Sequence, residues 1–594
     1  MKNKKTIISI TLAAILVLLF IIYIPLDAKK KDVNTTLLKS EIKDRPNIVL
    51  IMADDMGYSD IGCYGSEIET PNLDKLASHG LRFSQFYNTS RCCPTRASLL
   101  TGLYPAQTGV GRMTVTDYNI PGYRGDLNHQ SVTIAEVLKT AGYKTYISGK
   151  WHVTKQLEDV DSLKYNWPRQ RGFDKFYGTI IGAGSFWDPY TLTRNNTYIT
   201  PENDPVYKPD HYYYTDAISD NAVKYLEQYK SESEGKPFFM YVSYTAAHWP
   251  LHAPDDEIEH YKGKYDQGFD AIRQKRVERL KKMGLINKKW EVTKAVARWD
   301  TLSNKAWHAR NMEVYAAMIT RMDKGIGKII KKLELTSELE NTLVIFLQDN
   351  GAAAEELEWV KNREALDTLS TVPLYQAMEK DEIQNDMVPN QNRNGYPVIM
   401  QSKKVLSGSD ETYNAYGPTW ANTSNTPFRK FKHWVNEGGI SSPLIVQWPS
   451  RINAKDGIRH QLSHLIDIMA TCVDVAGATY PLEYKGNVIM PMEGKSLLPV
   501  FLNNEKINRD AIFFEHEGNR AVRQQKWKLV SKAQDQPQYY IKIDSLPIDQ
   551  WELFDMEKDR TETTDLAWQN PEIVRELSNK WYQWAKRTNT VPKP

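Results

Sequence analysis

Disulfide staples, a surplus of charge and internal repeats are all missing from this chain. Four cysteines in 594 residues are too few for a disulfide scaffold, and two of them, Cys92 and Cys93, are adjacent, a poor geometry for mutual pairing. The formal net charge is only +3, so neither a nucleic-acid-binding nor a polyanion-binding role can be read from bulk charge, and no nucleic-acid partner is expected. Long apolar runs are equally scarce. One stands at the N-terminus, Ile7–Ile24, and no second stretch reaches spanning length. What remains is ordinary globular composition, 41% hydrophobic and 25% charged, enough for a large core and two to four domains by length. Tryptophan and tyrosine are plentiful, and composition does not choose between packing and stacking roles for them.

Lys2, Lys4 and Lys5 precede the apolar run, and Lys29, Lys30 and Lys31 follow it. This pattern predicts export, to a periplasm or cell surface, with residues 1–28 acting as a cleaved signal peptide or as a retained anchor in contact with the membrane. Residues 29–45 read as a polar linker. The apolar runs Asn47–Ala53, Tyr143–Ser148, Pro237–Tyr244, Thr342–Leu347 and Pro443–Trp448 are continuous rather than alternating, as expected of strands buried on both faces. Helical patterns lie between them at Thr70–His79, Ser131–Ala141 and Ala309–Leu333, so the fold class is α/β, a sheet with helices on both faces. Residues 255–310 are expected to be a solvated helical insertion and 352–425 a set of functional loops. From 506 onward short strands and a helix at Pro571–Lys586 suggest a small α+β subdomain, its charges on solvated faces.

Four of the strands end in ionisable or polar side chains: Asp54 and Asp55, Lys150 and His152, His248, and Asp349 with Asn350. Sites in open α/β sheets form at the carboxyl ends of strands. Each ending alone is compatible with a turn; four together predict one convergent site. Asp54, Asp55, Asp349 and Asn350 would give a hard oxygen shell suited to Ca²⁺ or Mg²⁺.

The sharpest local signal is Cys92-Cys93-Pro94-Thr95-Arg96, a C-x-P-x-R pattern within CCPTRASLLTG. With DDMGYSDIG upstream and GKWH, AAHWPLHAP, DNG and K-x-x-x-x-E-G-G downstream in that order, the chain resembles the sulfatase family of the alkaline phosphatase superfamily, from about Asn47 to its end. FYNTSRCCPTR, Phe86 to Arg96, is similar to the bacterial arylsulfatase branch. The resemblance implies a large mixed sheet between helices as in alkaline phosphatase, with a catalytic domain over 46–505 and a C-terminal subdomain over 506–594. It also implies that a separate maturation enzyme converts Cys92 to formylglycine, whose hydrated form is a geminal diol: one hydroxyl attacks sulfur and the other allows sulfate to be expelled. Asp54, Asp55, Asp349, Asn350 and the modified Cys92 would hold one Ca²⁺. Arg96 would position the diol, Lys150 and Lys432 would hold sulfate oxygens, His248 would protonate the leaving oxygen and His152 would act in sulfate release. Arg429 and Lys430 compete with Lys432 for its role, and His252 and His433 read as structural histidines, with a substrate-facing position as the alternative for His252. The implied substrate is a sulfated polysaccharide or oligosaccharide (ulvan, carrageenan or a glycosaminoglycan) or an aryl sulfate. The rival activities are a phosphonate monoester or phosphodiester hydrolase of the same superfamily and a non-catalytic, membrane-tethered binder of sulfated glycans.

Overall fold

The computed structural model describes residues 45–233, 235–357, 368–531 and 550–591. The N-terminal run, its basic flanks and the linker as far as residue 44 lie outside these, and no described helix is long and apolar enough to cross a membrane.

Residues from Pro46 onward form one compact unit around an 11-stranded sheet. Its strands are β1 (Asn47–Ala53), β2 (Leu81–Tyr87), β3 (Lys144–Gly149), β4 (Lys175–Thr179), β5 (Leu192–Arg194), β6 (Thr197–Tyr198), β7 (Phe238–Ser243), β8 (Thr342–Gln348), β9 (Ser441–Gln447), β10 (Gly457–Arg459) and β11 (Ser463–His464). The order is β10-β2-β9-β8-β1-β7-β3-β4-β5-β6, with β11 also against β2. β8, β1, β7, β3 and β4 run parallel in consecutive positions, while β9 is antiparallel to both β2 and β8. The α/β expectation is borne out, and all five apolar runs lie in this sheet.

Continuous apolar strands are what a doubly covered sheet requires. On β1, Ile48, Leu50 and Met52 enter one core, and Val49, Ile51 and Ala53 enter the other. The long helix Lys305–Leu335 packs on the second face, where Met312, Tyr315, Ile319 and Ile326 are fully buried. The opposite face receives helices Cys92–Thr101 and Ile466–Val475.

Thr133 caps helix Ile134–Thr140 through a reciprocal box with Glu136, as the S/T-x-x-E spacing favours. Thr70, in contrast, precedes helix Pro71–Ser78 without capping it; its hydroxyl accepts from Gly62 N instead. Residues 255–310 differ from the solvated insertion expected. Helix Gly268–Met283 buries Phe269, Ile272 and Leu280, and Arg276 is fully buried against Asp60 (2.6 Å) and Glu67 (2.7 Å). The charged periodicity concealed an ion pair aimed inward.

A second antiparallel sheet comprises β12 (Ile512–His516), β13 (Asn519–Gln524), β14 (Trp527–Ser531) and β15 (Trp551–Asp555) in that order, followed by helix Pro571–Arg587. Val522, Leu529 and Leu553 share a core with Trp581 and Trp584 of the helix. Ala521, Val530 and Phe554 pack against Tyr87, Val435 and Ile440 of the large sheet and its loops. The expected solvated charges are corrected here too. Lys528, Glu437, Glu562 and Arg560 form a buried network, with Lys528 Nζ 2.9 Å from Glu437 and 2.8 Å from Glu562.

Candidate active site

β8, β1, β7 and β3 are neighbours with a common direction, so the residues after them emerge side by side. Asp54 and Asp55 follow β1, Lys150 and His152 follow β3, His248 follows β7, and Asp349 and Asn350 follow β8. All seven side chains are buried, as are Cys92, Arg96 and Lys432. Asp55 and His152 adopt positive φ, 57° each, a backbone state uncommon for residues with a Cβ and typical of side chains fixed at working sites.

The carboxylates of Asp54, Asp55 and Asp349 present one oxygen each within 4.8 Å of one another. Asn350 Nδ2 donates to Asp55 Oδ1 at 2.6 Å, and the Asp55 amide donates to Asp349 Oδ1 at 3.2 Å. Asp54 Oδ1 and Asn350 Oδ1 are fully buried and have no hydrogen-bond partner among the described residues. Burial and then the like charge of Asp349 push the Asp54 carboxyl well above the usual range, and burial raises Asp349 too. Orphaned oxygens among crowded buried carboxylates are the pattern that a hard divalent cation relieves, so these residues fit one.

Cations surround this oxygen cluster. Lys150 Nζ donates to Asp54 Oδ2, and Arg96 Nη2 lies 3.3 Å from Asp349 and 3.6 Å from Asp54. Lys432 Nζ donates to Asp55 Oδ2 at 2.8 Å and lies 3.4 Å from His248 Nε2, which is itself 3.3 Å from Asp55. The His248 Nδ1 faces the Trp249 carbonyl at 2.6 Å, which orients the ring. Against the cost of burying Lys432, Asp55 and Glu355 hold its ammonium well above the ordinary lysine range. Arg429 instead pairs with Glu552 (2.5 Å), and Lys430 sits over the Trp434 ring (5.3 Å), so of the three cations Lys432 enters the site.

Cys92 opens helix Cys92–Thr101, and Arg96 follows one turn later on the same face. Cys92 Sγ lies within 4.8 Å of a ligating atom of His152 and of Cys93, a separate group from the carboxylate trio. The Cys93 thiol stabilises the Cys92 thiolate, outweighing burial; with Lys150 and Lys432 adding positive charge, the Cys92 thiol falls well below its usual range. Burial raises Cys93. His152 is lowered to about 4 by burial and the charge of Lys150, so its imidazole is neutral near pH 7. Gly182 closes this side; a Cβ there would lie 2.0 Å from His152 Nδ1 and 2.4 Å from Lys150 Cε.

One participant carried no sequence signal. Glu355 lies 3.5 Å from Lys432, accepts from Trp249 Nε1 at 2.6 Å and pairs with Arg91 at 2.7 Å. Burial alone would raise its carboxyl, but Lys432 and Arg91 outweigh that and hold it well below the usual range. His252 is structural, as expected: it is buried and its Nε2 faces the Thr412 carbonyl at 2.6 Å.

The Sulfatase family model matches residues 46–478, most of the chain and every residue of this cluster. This chain belongs to the sulfatase family. Like other sulfatases it is a sulfuric ester hydrolase of arylsulfatase type. A second family model, N-sulphoglucosamine sulphohydrolase, C-terminal, matches residues 428–587. An uncharacterised sulfatase of Schizosaccharomyces pombe is 32% identical over 93% of this chain and 95% of its own length. An arylsulfatase of Klebsiella aerogenes is 32% identical over 77% of this chain and 92% of its own. Among solved structures, Ps i-CgsB in complex with k-i-k-neocarrahexaose superposes with a TM-score of 0.60 at 22% identity, covering 93% of this sulfatase and 98% of that chain. A protein in complex with its substrate D-glucosamine-2-N,6-O-disulfate superposes at 0.55 and 19% identity, covering 92% and 99%. At such identities these two establish the shared alkaline-phosphatase-like fold.

Proposed function

We propose that this sulfatase removes sulfate from a sulfated carbohydrate, using a formylglycine made from Cys92 by a maturation enzyme and one Ca²⁺ held by Asp54, Asp55, Asp349, Asn350 and the modified Cys92. The observation that carries the reading is the burial of three carboxylates and two orphaned oxygens beside Cys92, Arg96, Lys150, His152, His248 and Lys432. The bound ion would supply Lewis acidity, and the formylglycine a diol nucleophile with a route to turnover.

The chain's own residues divide the remaining work. Lys150 and Lys432 neutralise and orient the anionic ester in buried surroundings, where charge stabilisation is strongest. Arg96, anchored on Asp349 and Ser243, fixes the first turn that carries residue 92. His248, poised 3.4 Å from Lys432, donates a proton to the leaving oxygen. His152, neutral and close to residue 92, accepts a proton there. Glu355 holds Lys432 and Arg91 at the edge of the pocket.

The carbohydrate preference draws support from the glycans named with two structures of the same fold. Export, with residues 1–28 as signal or anchor ahead of a linker, a catalytic region to 505 and a C-terminal subdomain, completes the proposal.

The test has two parts. Mass spectrometry of the peptide containing residue 92, from protein made with its maturation enzyme, is expected to show aldehyde in place of thiol. A panel of sulfated oligosaccharides and matched phosphodiesters is expected to give a higher kcat/KM for sulfate esters. An unmodified thiol in active enzyme, or a large phosphodiester preference, overturns the reading.

A further inference from the structure

A second constellation of metal-ligating side chains lies outside the cluster assigned above. His433, next to Lys432, meets His516 and Glu517, which end β12 and begin its turn into β13. One atom from each of the three lies within 4.8 Å of the others. His433 Nδ1 is 3.2 Å and His516 Nε2 is 3.9 Å from the same oxygen, Glu517 Oε2. Ligands about 2.0–2.2 Å from a tetrahedral zinc stand about 3.3–3.6 Å apart, so these two spacings need only small adjustment to reach it.

His516 is 0% exposed, yet among the described residues neither of its nitrogens has a hydrogen-bond partner, and His433 Nε2 is also buried and unpartnered there. A buried donor or acceptor left so carries a desolvation cost that a bound partner would relieve. Burial keeps both imidazoles neutral, lowering His433 to about 4 and His516 well below its ordinary value, so each offers a lone pair. The other Glu517 oxygen is engaged by Arg112 at 3.1 and 3.3 Å, which turns Oε2 toward the rings. Glu517 and His433 both hold positive φ, 45° and 89°.

We propose that His433, His516 and Glu517 form a second metal site, for Zn²⁺, separate from the carboxylate cluster. Imidazole nitrogens with one carboxylate suit zinc, whereas the all-oxygen cluster suits calcium, so the two sites would sort their ions by ligand chemistry. The His433 amide donates to the Ser90 carbonyl at 2.8 Å, two residues before Cys92. Zinc here would therefore pin the C-terminal sheet to the two loops that deliver Lys432 and Cys92.

The experiment uses the full chain, stripped by chelation and then supplied with Zn²⁺ or Co²⁺ alone. Wild type is expected to retain one Zn²⁺ per chain and to give the intense visible absorption of low-coordinate Co²⁺. His516→Gln and Glu517→Gln are expected to weaken Zn²⁺ binding at least tenfold, while Asp54→Asn leaves it unchanged. Zinc-edge X-ray absorption on wild type, expected to count two imidazoles, decides the matter even if a variant misfolds. Failure of wild type to hold zinc, a shell of oxygens only, or loss of zinc in Asp54→Asn with retention in His516→Gln would overturn the proposal.

Discussion

Cys92 and Cys93 are adjacent in sequence and opposite in chemistry. Cys92 is pressed toward thiolate beside His152 and Lys150, whereas Cys93 is raised by burial among apolar neighbours. Cys92→Ala should lower kcat/KM on an aryl sulfate about a thousandfold or more, with circular dichroism unchanged, while Cys93→Ala keeps most activity. His248→Gln should lower kcat about 10²–10⁴-fold on alkyl or sugar sulfates and much less on sulfates of acidic phenols, whose leaving oxygens need no proton. Comparison of the two substrate classes checks this. At Glu355 the measurable quantity is acid stability. Its folded pKa is depressed, so its contribution is complete above the unfolded value of about 4.3 and disappears as pH falls through the folded value. The Tm gap between wild type and Glu355→Gln should therefore be widest near neutrality and close as pH falls below about 4.

At the scale of elements, the strand-end rule made most of the site legible. Asp54, Lys150, His248 and Asp349 each follow a continuous apolar run, and adjacency of β8, β1, β7 and β3 turned four sequence endings into one pocket. Glu355 was not legible because it lies in an irregular stretch with no period, and its partners are 77 residues away at Lys432 and 264 at Arg91. Strand β2 was missed as well: Arg82, Ser84 and Gln85 interrupt the run, although Arg82 is buried with its guanidinium on the Cys63 carbonyl (2.7 Å) and Asp456. The DNG and E-G-G motifs, well apart in sequence, form one contact in the fold. A Cβ on Gly351 would lie 1.8 Å from the Gly438 carbonyl oxygen, so the loops after β8 and before β9 can meet only as glycine against backbone. Gly351→Ala should destabilise by about 1–3 kcal/mol and displace Asn350 and Lys432 together, seen as a lower denaturation midpoint and a lower kcat.

Across the whole molecule, the buried network of Lys528, Glu437, Glu562 and Arg560 joins the C-terminal sheet to the short E-G-G helix Glu437–Ile440. Removing one partner of a buried pair leaves charge without compensation, so Lys528→Met should cost about 3–5 kcal/mol. Because Val435 and Ile440 share a core with Val530 and Phe554, tryptophan fluorescence and loss of activity should move together on heating. These couplings could not be read from sequence, since nothing local marks Lys528 as the partner of a glutamate 91 residues earlier.

The place of β1 in the sheet sets the order in which the enzyme can come into being. It emerges first from the ribosome, yet its two neighbours, β7 and β8, are made about 190 and 295 residues later, and the Lys432 contact with Asp55 spans 377. Closing such distant pairings is slow, and until then the first strand has no edge to join. Nascent chains shorter than about 440 residues therefore lack a complete pocket, and protection of β1 against proteolysis during synthesis should arrive late and all at once.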